Sequence, residues 1–172
     1  MSDATKTGGD DAGEWLDGGV FGEPQPCFGC GPSHPIGFQL KFRVEGDATV
    51  TRFTPGEQYQ GPPGILHGGL AMTLGDEIAS WTLITQLRKF GFTGRFEGSL
   101  HQALRVGEEI EGRGVLGSDR RRIVDVDVEL RQRGEKCFSG RYRFVVLDEK
   151  GAERLLGQPL PEGWKRYARG ER

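Results

Sequence analysis

The sequence predicts an α+β fold in which an antiparallel sheet of about six strands wraps around one long central helix. One long helical pattern lies in the middle of the chain, and stretches with the two-residue alternation of strands lie on both sides of it. Short turns with Gly and charged residues separate successive strands, which is typical of antiparallel hairpins. One sheet and one helix leave a face to cover, so we expect pairing with a second copy of the chain.

Two strands are predicted before the helix. The first rests on apolar residues that alternate with polar ones, at Phe38, Leu40, Phe42 and Val44. Residues 45–47 (EGD) predict a hairpin turn, and the β-branched stretch 48–54 predicts the second strand. These strands are therefore predicted to form a hairpin, which a Gly- and Pro-rich loop connects to the helix.

The helix is predicted over residues 68–90, where apolar side chains recur at helical spacing, at Leu70, Leu74, Ile78 and Trp81. Strand-like stretches follow at 94–104, 108–116, 122–133 and 136–147. The third of these is the clearest, because its valines and charged residues alternate strictly, and residues 133–135 (RGE) form a turn after it. Together these stretches predict a meander of four strands.

Three segments are expected along the chain. Residues 1–20 are rich in Gly, Asp and Thr and predict a flexible amino-terminal arm. Residues 21–148 form the single folded domain, and residues 149–172 form a carboxyl-terminal tail that packs locally through Leu155, Leu156 and Trp164.

Composition excludes several functional classes. The formal net charge of -2 and the pI near 6.0 give no basic field for nucleic acid. No apolar run is long enough for a membrane span, and the polar amino terminus does not resemble a signal peptide. We therefore expect a cytoplasmic protein with no nucleic-acid partner.

The cysteines also favour a reducing compartment. Three cysteines is an odd number, and only Cys27 and Cys30 are close together, as a C-x-x-C pair with His34 nearby. A structural zinc site needs four ligands, no second C-x-x-C exists, and Cys137 would have to join from a distant strand. The expectation is therefore no metal and three free thiols.

The start of the helix combines features of a catalytic site. Free N–H groups at a helix start stabilise negative charge, and Gly68 and Gly69 have no side chain that would block a ligand. Asp76 follows seven residues after Gly69, so the two lie on one side of the helix with Thr73 and Ser80. Donors for a developing oxyanion and a carboxylate nucleophile or base are what acyl transfer requires.

Simpler interpretations of the same residues stay open at this point. An HGG segment before a helix is often a loop with a polar cap, and a lone helical aspartate is usually a solvated face. Glu77 points about 100° away from Asp76 around the helix, so only one of the two faces a given cleft. Asp76 is the candidate that shares a side with the glycines.

The arrangement resembles the hotdog-fold thioesterases, in particular the branch with the phenylacetyl-CoA and hydroxybenzoyl-CoA enzymes. The resemblance covers residues 27–147 and centres on 61–81, GPPGILHGGLAMTLGDEIASW. Members have HGG before the central helix and a carboxylate nine positions after the histidine, here Asp76. The entry segment CFGCGPSHPIGFQLKF also resembles that of one subgroup.

The resemblance implies a reaction and roles for the residues. The protein would hydrolyse an acyl-CoA thioester to a carboxylic acid and free CoA, with no cofactor beyond the CoA of the substrate. An amide N–H of Gly68 or Gly69 would polarise the carbonyl, and Asp76 would attack it or activate water. His67 would hold the loop, and Ser80 would orient the water. Glycine and carboxylate would come from different subunits of a homodimer, which forms a homotetramer if two dimers associate.

Substrate contacts are expected at the polar residues Gln60, Thr73, Arg120, Arg121 and Arg122. The arginines suit the phosphates of CoA through their forked donors, and the alternative is a solvated hairpin end. Two departures from the family pattern occur: the amide that often precedes HGG is not in register at Gln58 or Gln60, and Ala103 stands where proline is common.

Two other functions use the same cleft. A non-catalytic acyl-CoA-binding or regulatory module would bind CoA esters without turnover, although neither the arm nor the tail shows DNA-binding helices. Hydration or dehydration of an acyl thioester needs a different placement of histidine and carboxylate, so the HGG spacing speaks against it.

Overall fold

The computed structural model describes residues 13–170, which form three α-helices and six β-strands. The helices are α1 (Gly68–Leu87), α2 (Glu149–Leu156) and α3 (Glu162–Ala168). The strands are β1 (Arg43–Glu45), β2 (Ala48–Phe53), β3 (Gly91–Leu100), β4 (Ile110–Arg120), β5 (Ile123–Gln132) and β6 (Glu135–Val146). Short 3-10 helices occur at Gly18–Phe21 and Glu57–Tyr59. None of the helices in this part of the chain is long and apolar enough to cross a membrane.

All six strands join one antiparallel sheet in the order β1-β2-β4-β5-β6-β3. Helix α1 contacts β2, β3, β4, β5 and β6, so the sheet wraps around it. The predicted α+β hotdog architecture is thereby confirmed. Strand β3 follows α1 directly in sequence yet lies at one edge of the sheet, with β6 as its partner.

The helix and the sheet approach closely at Gly75. A Cβ atom at this position would lie 2.3 Å from the Tyr142 hydroxyl oxygen, so no larger side chain fits without a shift. The Tyr142 hydroxyl donates a hydrogen bond to the Met72 carbonyl at 2.8 Å. A residue of β6 is thus fixed against the first half of α1, where the functional candidates lie.

The predicted first strand begins too early. Phe38, Leu40 and Phe42 are buried as their alternation predicts, but β1 starts only at Arg43. Gln39 has a φ of 52°, outside the strand region, and Phe42 exchanges two backbone hydrogen bonds of 2.7 Å with Leu16. The alternation therefore describes an extended segment that covers the core beside the sheet.

The other predicted elements differ from the structure mainly at their ends. Helix α1 stops at Leu87 rather than 90, because Arg88 adopts a left-handed conformation with a φ of 53°. Strand β3 starts three residues before the predicted 94 and ends at Leu100 rather than 104. The turn predicted at 133–135 is present, with positive φ values at Arg133 and Gly134.

The two predicted terminal segments pack on the domain where the structure describes them. The flexible arm was predicted over 1–20; residues 1–12 lie outside the described range, and Leu16 pairs with Phe42. In the predicted tail, Trp164 of α3 stacks on Phe21 with ring centroids 3.6 Å apart. Leu155 and Leu156 are exposed, which corrects their expected packing role.

Candidate active site

The start of α1 is closed by the side chain of His67. This residue is the N-cap, and its Nδ1 accepts a hydrogen bond of 3.1 Å from the Gly69 amide. His67 therefore caps the helix, and its Nδ1 accepts the hydrogen of one of the two amides that were expected to bind an oxyanion. The Gly68 amide donates no hydrogen bond within residues 13–170. Gly68 is the freer donor.

Asp76 lies on α1 two turns from these glycines and is half-buried. Its Oδ1 accepts a hydrogen bond of 2.7 Å from the Thr93 hydroxyl on β3. Burial raises the pKa of Asp76 above its ordinary value, the Thr93 hydrogen bond lowers it, and the negative charge of Cys27 raises it further. The net effect is a raised pKa.

An open cleft of about 690 Å³ lies between α1 and the beginning of β3. Gly69, Thr73 and Asp76 line its helix side, so these three members of the predicted stripe face one space, whereas Ser80 does not line it. Thr93 and Phe96 line its strand side, and Phe96 is half exposed while stacking on Tyr142. The cleft thus combines a carboxylate with apolar surface.

Two of the three remaining candidates near the helix have fixed hydrogen bonds, and the third lines a different pocket. The Thr73 hydroxyl donates to the Gly69 carbonyl at 3.0 Å, so it is tied to its own helix. Gln60 is exposed, and its Oε1 accepts from the Gly64 amide at 3.0 Å. Ser80 is one turn beyond Asp76, yet it lines a separate pocket of about 130 Å³. The structure therefore does not bring Gln60 or Ser80 into the cleft of Asp76.

The three arginines form the exposed hairpin end between β4 and β5. Arg121 has a φ of 64°, and its amide donates to Asp119 Oδ1 at 3.1 Å. The Arg122 amide donates to the Arg120 carbonyl at 2.7 Å, which closes the turn. None of the three lines the cleft of Asp76.

A second group of ionisable side chains lies on another side of α1. Cys27 Sγ donates to Glu77 Oε1 at 3.3 Å, and Cys30 is the next thiol in the same loop. The Cys30 side chain and nearby amides lower the pKa of Cys27 to about 5 against the effect of burial, whereas burial and Cys27 hold the pKa of Glu77 well above its ordinary value. Sequence analysis considered Glu77 only as the neighbour of Asp76.

Two contacts of the candidate residues escaped the sequence analysis. Thr93 bonds Asp76 from 17 residues away, and Glu77 meets Cys27 across 50 residues. Neither contact has a local spacing that would reveal it. The three cysteines are free thiols as expected, and His34 is outside the group because its Nδ1 accepts from the Ile36 amide at 3.3 Å.

Comparison with known families agrees with this geometry. Residues 63–138 match the model of the thioesterase superfamily, and this segment contains His67, both glycines and Asp76. It runs from the loop before α1 into β6. The match confirms the resemblance seen in the sequence: over residues 63–138, the chain is similar to the thioesterase superfamily. No curated protein matches the sequence.

Solved structures share the fold. A thioesterase superfamily protein superposes with a TM-score of 0.66 at 22% sequence identity. The match covers 76% of this chain and 66% of that protein, so this chain spans just under two thirds of that relative's length. A hypothetical thioesterase from Streptococcus pneumoniae, solved with coenzyme A, gives 0.56 at 19% identity, with coverages of 59% and 82%. A Streptococcus mutans protein bound to acetyl CoA gives 0.56 at 18%, with coverages of 60% and 83%.

Proposed function

We propose that this protein is an acyl-CoA thioesterase, which hydrolyses a thioester to a carboxylic acid and free CoA. The observation that supports it most directly is the half-buried carboxylate of Asp76, in a cleft that also reaches the glycines at the start of α1. The two structural neighbours solved with coenzyme A or acetyl CoA point to the same class of ligand. The reaction consumes water and needs no cofactor.

The glycine amides are proposed to bind the carbonyl oxygen as it gains negative charge. The Gly68 amide is the first donor, because it has no acceptor within residues 13–170. Gly69 could serve as a second donor only if its amide exchanged His67 Nδ1 for the substrate oxygen. The positive end of the α1 dipole adds to either interaction.

Asp76 is proposed to act on the carbonyl carbon, either directly or through water. Thr93 holds Oδ1, while Oδ2 makes no hydrogen bond in the described part of the chain and is available for chemistry. As a nucleophile the carboxylate would attack the carbonyl carbon, the C–S bond would break, and CoA would leave as a thiolate; water would then cleave the acyl anhydride and supply the proton for the thiolate. As a base the carboxylate would take a proton from water while that water attacks the carbonyl carbon, and the C–S bond would break as the proton passes to the CoA thiolate. Both routes require the ionised form of Asp76.

The site is proposed to be completed in a homodimer formed along β3. This strand is at the sheet edge, and no segment of residues 13–170 pairs with its outer side. Three large apolar side chains of β3 are about half exposed, at Phe92, Phe96 and Leu100. Such an edge favours pairing with a second copy, which would bring the glycines of one protomer toward the Asp76 of the other. Association of two dimers into a tetramer is part of the same proposal.

The CoA moiety is proposed to contact Arg120, Arg121 and Arg122. Their guanidinium groups at the exposed β4–β5 hairpin end suit phosphate binding. The hairpin can contact CoA in an active site only if the oligomer brings the hairpin of one protomer close to the cleft of another. Because the arginines would contact only the CoA part of the substrate, replacing all three should raise KM for CoA esters more than it lowers kcat. Of the other residues expected to contact substrate, Thr73 faces the acyl cleft, whereas Gln60 and Ser80 lie outside it.

Asp76→Asn tests the proposal. The neutral amide keeps the size of the side chain and can still accept from Thr93, but it can neither attack nor take a proton, so we expect kcat/KM on a panel of acyl-CoA esters to fall roughly 100-fold or more. Asp47→Asn, which changes an aspartate exposed at the β1–β2 turn, is the matched control. Undiminished turnover by Asp76→Asn would contradict the mechanism, and saturable binding with no turnover by the wild type would favour a binding module.

A further inference from the structure

The loop before β1 and the middle of α1 bring together three groups that bind metals. The Sγ atoms of Cys27 and Cys30 and a carboxylate oxygen of Glu77 all lie within 4.8 Å of one another. The cluster combines two soft sulfur ligands with one oxygen ligand, and thiolates are the ligands that select Zn²⁺ over Mg²⁺ or Ca²⁺. It lies outside the cleft of Asp76 and has no part in the hydrolysis proposed above.

The cysteine loop is held in place by backbone hydrogen bonds on both sides of the pair. The Cys30 carbonyl accepts from Gly18 at 2.8 Å, and the Gly29 carbonyl accepts from Leu40 at 2.9 Å. The Cys27 carbonyl accepts from Gly31 at 2.9 Å, which closes the turn over the two thiols. The two sulfurs are therefore positioned by the fold rather than by a metal.

Within this turn the first sulfur already accepts an amide hydrogen. The Cys30 N–H donates to Cys27 Sγ at 3.4 Å. An amide aimed at sulfur stabilises a thiolate, which is the form that binds metal. The turn thus presents Cys27 as a ligand, while Cys30 is buried three residues further along the same loop.

Glu77 fits tightly under this loop. A Cβ atom at position 29 would lie 2.1 Å from Glu77 Cγ, so only glycine allows the carboxylate to reach the sulfurs. The Glu77 carboxyl group is hydrogen-bonded to the Cys27 thiol and also interacts with the Cys30 side chain, and within residues 13–170 no cation pairs with it. A carboxylate in this setting lacks the positive partner that such groups usually have.

The separations suit a tetrahedral ion. With Zn–S near 2.3 Å and Zn–O near 2.1 Å, a sulfur and an oxygen of one tetrahedron are roughly 3.6 Å apart. Cys27 Sγ and Glu77 Oε1 are 3.3 Å apart, so shifts of a few tenths of an ångström would admit the ion. The adjoining pocket of about 130 Å³, lined also by Ser80 and Trp164, has room for a water as fourth ligand.

We propose that Cys27, Cys30 and Glu77 bind one Zn²⁺ ion, with a water in the adjoining pocket as the fourth ligand. This differs from the sequence expectation because the third ligand comes from α1, not from a second cysteine pair or from Cys137. Binding transfers the thiol protons to solvent and links the loop to the central helix. An internal Cys27–Cys30 disulfide is the competing use of the same sulfurs, and it would leave Glu77 without a role.

The test uses the purified full chain, stripped of metal and kept reduced. Titration with Co²⁺ should give thiolate-to-cobalt charge-transfer absorption and the visible bands of tetrahedral cobalt, saturating at one ion per chain, and Zn²⁺ should abolish both. Competition with a chromophoric chelator gives the Zn²⁺ affinity. Glu77→Gln should weaken Zn²⁺ binding about tenfold or more, Cys27→Ser and Cys30→Ser should remove the charge-transfer band, and Cys137→Ser should change neither.

Three results would overturn the proposal. One is the absence of stoichiometric Co²⁺ or Zn²⁺ binding by the reduced protein, including a protein that instead isolates with a Cys27–Cys30 disulfide and binds no metal after reduction. A second is unchanged affinity in Glu77→Gln. A third is binding that survives loss of both cysteines. Circular dichroism checks that each variant is folded, so that a loss of metal binding is not caused by unfolding.

Discussion

At the scale of single residues, opposing influences set the acidity of Asp76. Burial raises its pKa, while the hydroxyl of Thr93 stabilises the ionised form and lowers it. Because the proposed chemistry needs the carboxylate, activity should fall as the pH drops through a pKa that is higher than that of an ordinary aspartate. Thr93 therefore limits how far this loss extends toward neutral pH.

Thr93→Val is expected to move the acidic limb of the kcat/KM profile to higher pH. Valine keeps the shape of threonine but removes the hydrogen bond, so burial acts on Asp76 unopposed. The measurement is a set of initial rates across the acidic range with one acyl-CoA ester. As a control, Thr54→Val at an exposed position should leave the acidic limb unchanged. If the acidic limb of Thr93→Val is unchanged or moves to lower pH, the proposed role of the Thr93–Asp76 hydrogen bond is refuted.

Local spacing predicts only part of the site. His67, the two glycines and Asp76 lie within one helix start and its next turns, so helical geometry alone places them on one side. Thr93 reaches Asp76 from a different element, and its contact depends on how β3 packs on α1. Such contacts are set by tertiary structure, which the spacing of residues along the chain does not encode.

At the scale of elements, the edge strand β3 leaves apolar side chains in contact with water. Phe96 is 49% exposed and Leu100 51% exposed, and both face the same side of the sheet as their partners Tyr142 and Phe138 on β6. A second copy paired along this edge would cover them. The dimer proposal therefore depends on the apolar character of β3.

Phe96→Glu is expected to turn the dimer into a monomer and to lower activity with it. A buried charge at the pairing edge is costly, whereas the same substitution at Ile36, 66% exposed in the loop before β1, should leave the dimer intact. Sedimentation velocity of both variants measures the oligomeric state. A dimer that persists in Phe96→Glu would place the subunit contact elsewhere.

The contact between α1 and β6 sets a second limit on substitution. Alanine usually stabilises a helix relative to glycine, but at Gly75 its Cβ would meet the Tyr142 hydroxyl. We expect Gly75→Ala to lower the free energy of unfolding by about 1–3 kcal/mol, measured by chemical denaturation. The loss should shrink in a Tyr142→Phe background, and an equal loss in both backgrounds would disprove the steric cause.

The sequence pattern predicts most elements, because hydrophobic periodicity distinguishes helix from strand over long segments. The main error is at Phe38–Phe42, where alternation reports burial but not hydrogen bonding. The backbone of that segment bonds to Phe28, Gly29 and Leu16 instead of to another strand. A two-residue period indicates only that one side of an extended segment is covered.

At the scale of the whole molecule, the two ends of the described chain pack against each other. Trp164 of α3 stacks on Phe21 of the first 3-10 helix, and Phe21 in turn contacts the buried Trp81 of α1. Arg166 donates to the Val20 carbonyl at 3.1 Å. Sequence analysis could not anticipate this contact, because each segment is short and its partner lies at the other end of the chain.

Trp164→Ala is expected to lower the free energy of unfolding by roughly 2–4 kcal/mol, since it removes a large ring from the stack on Phe21. Leu155→Ala, in the same region but exposed, should change it by no more than about 0.5 kcal/mol. Urea denaturation followed by tryptophan fluorescence and circular dichroism provides both values. Similar losses in the two variants would show that the stack contributes little.

The strand order has a consequence for how the chain assembles. Strand β3 is made immediately after α1, yet its one neighbour in the sheet is β6, whose Phe138 pairs with Leu100 only after β4 and β5 have been added. Because closing the long connection between β3 and β6 costs more entropy than forming the β4–β5 and β5–β6 hairpins, we expect β3 to pair after these hairpins have formed. Thr93 lies on β3, so we expect its hydrogen bond to Asp76, which lowers the pKa of that carboxyl group, to form late in folding.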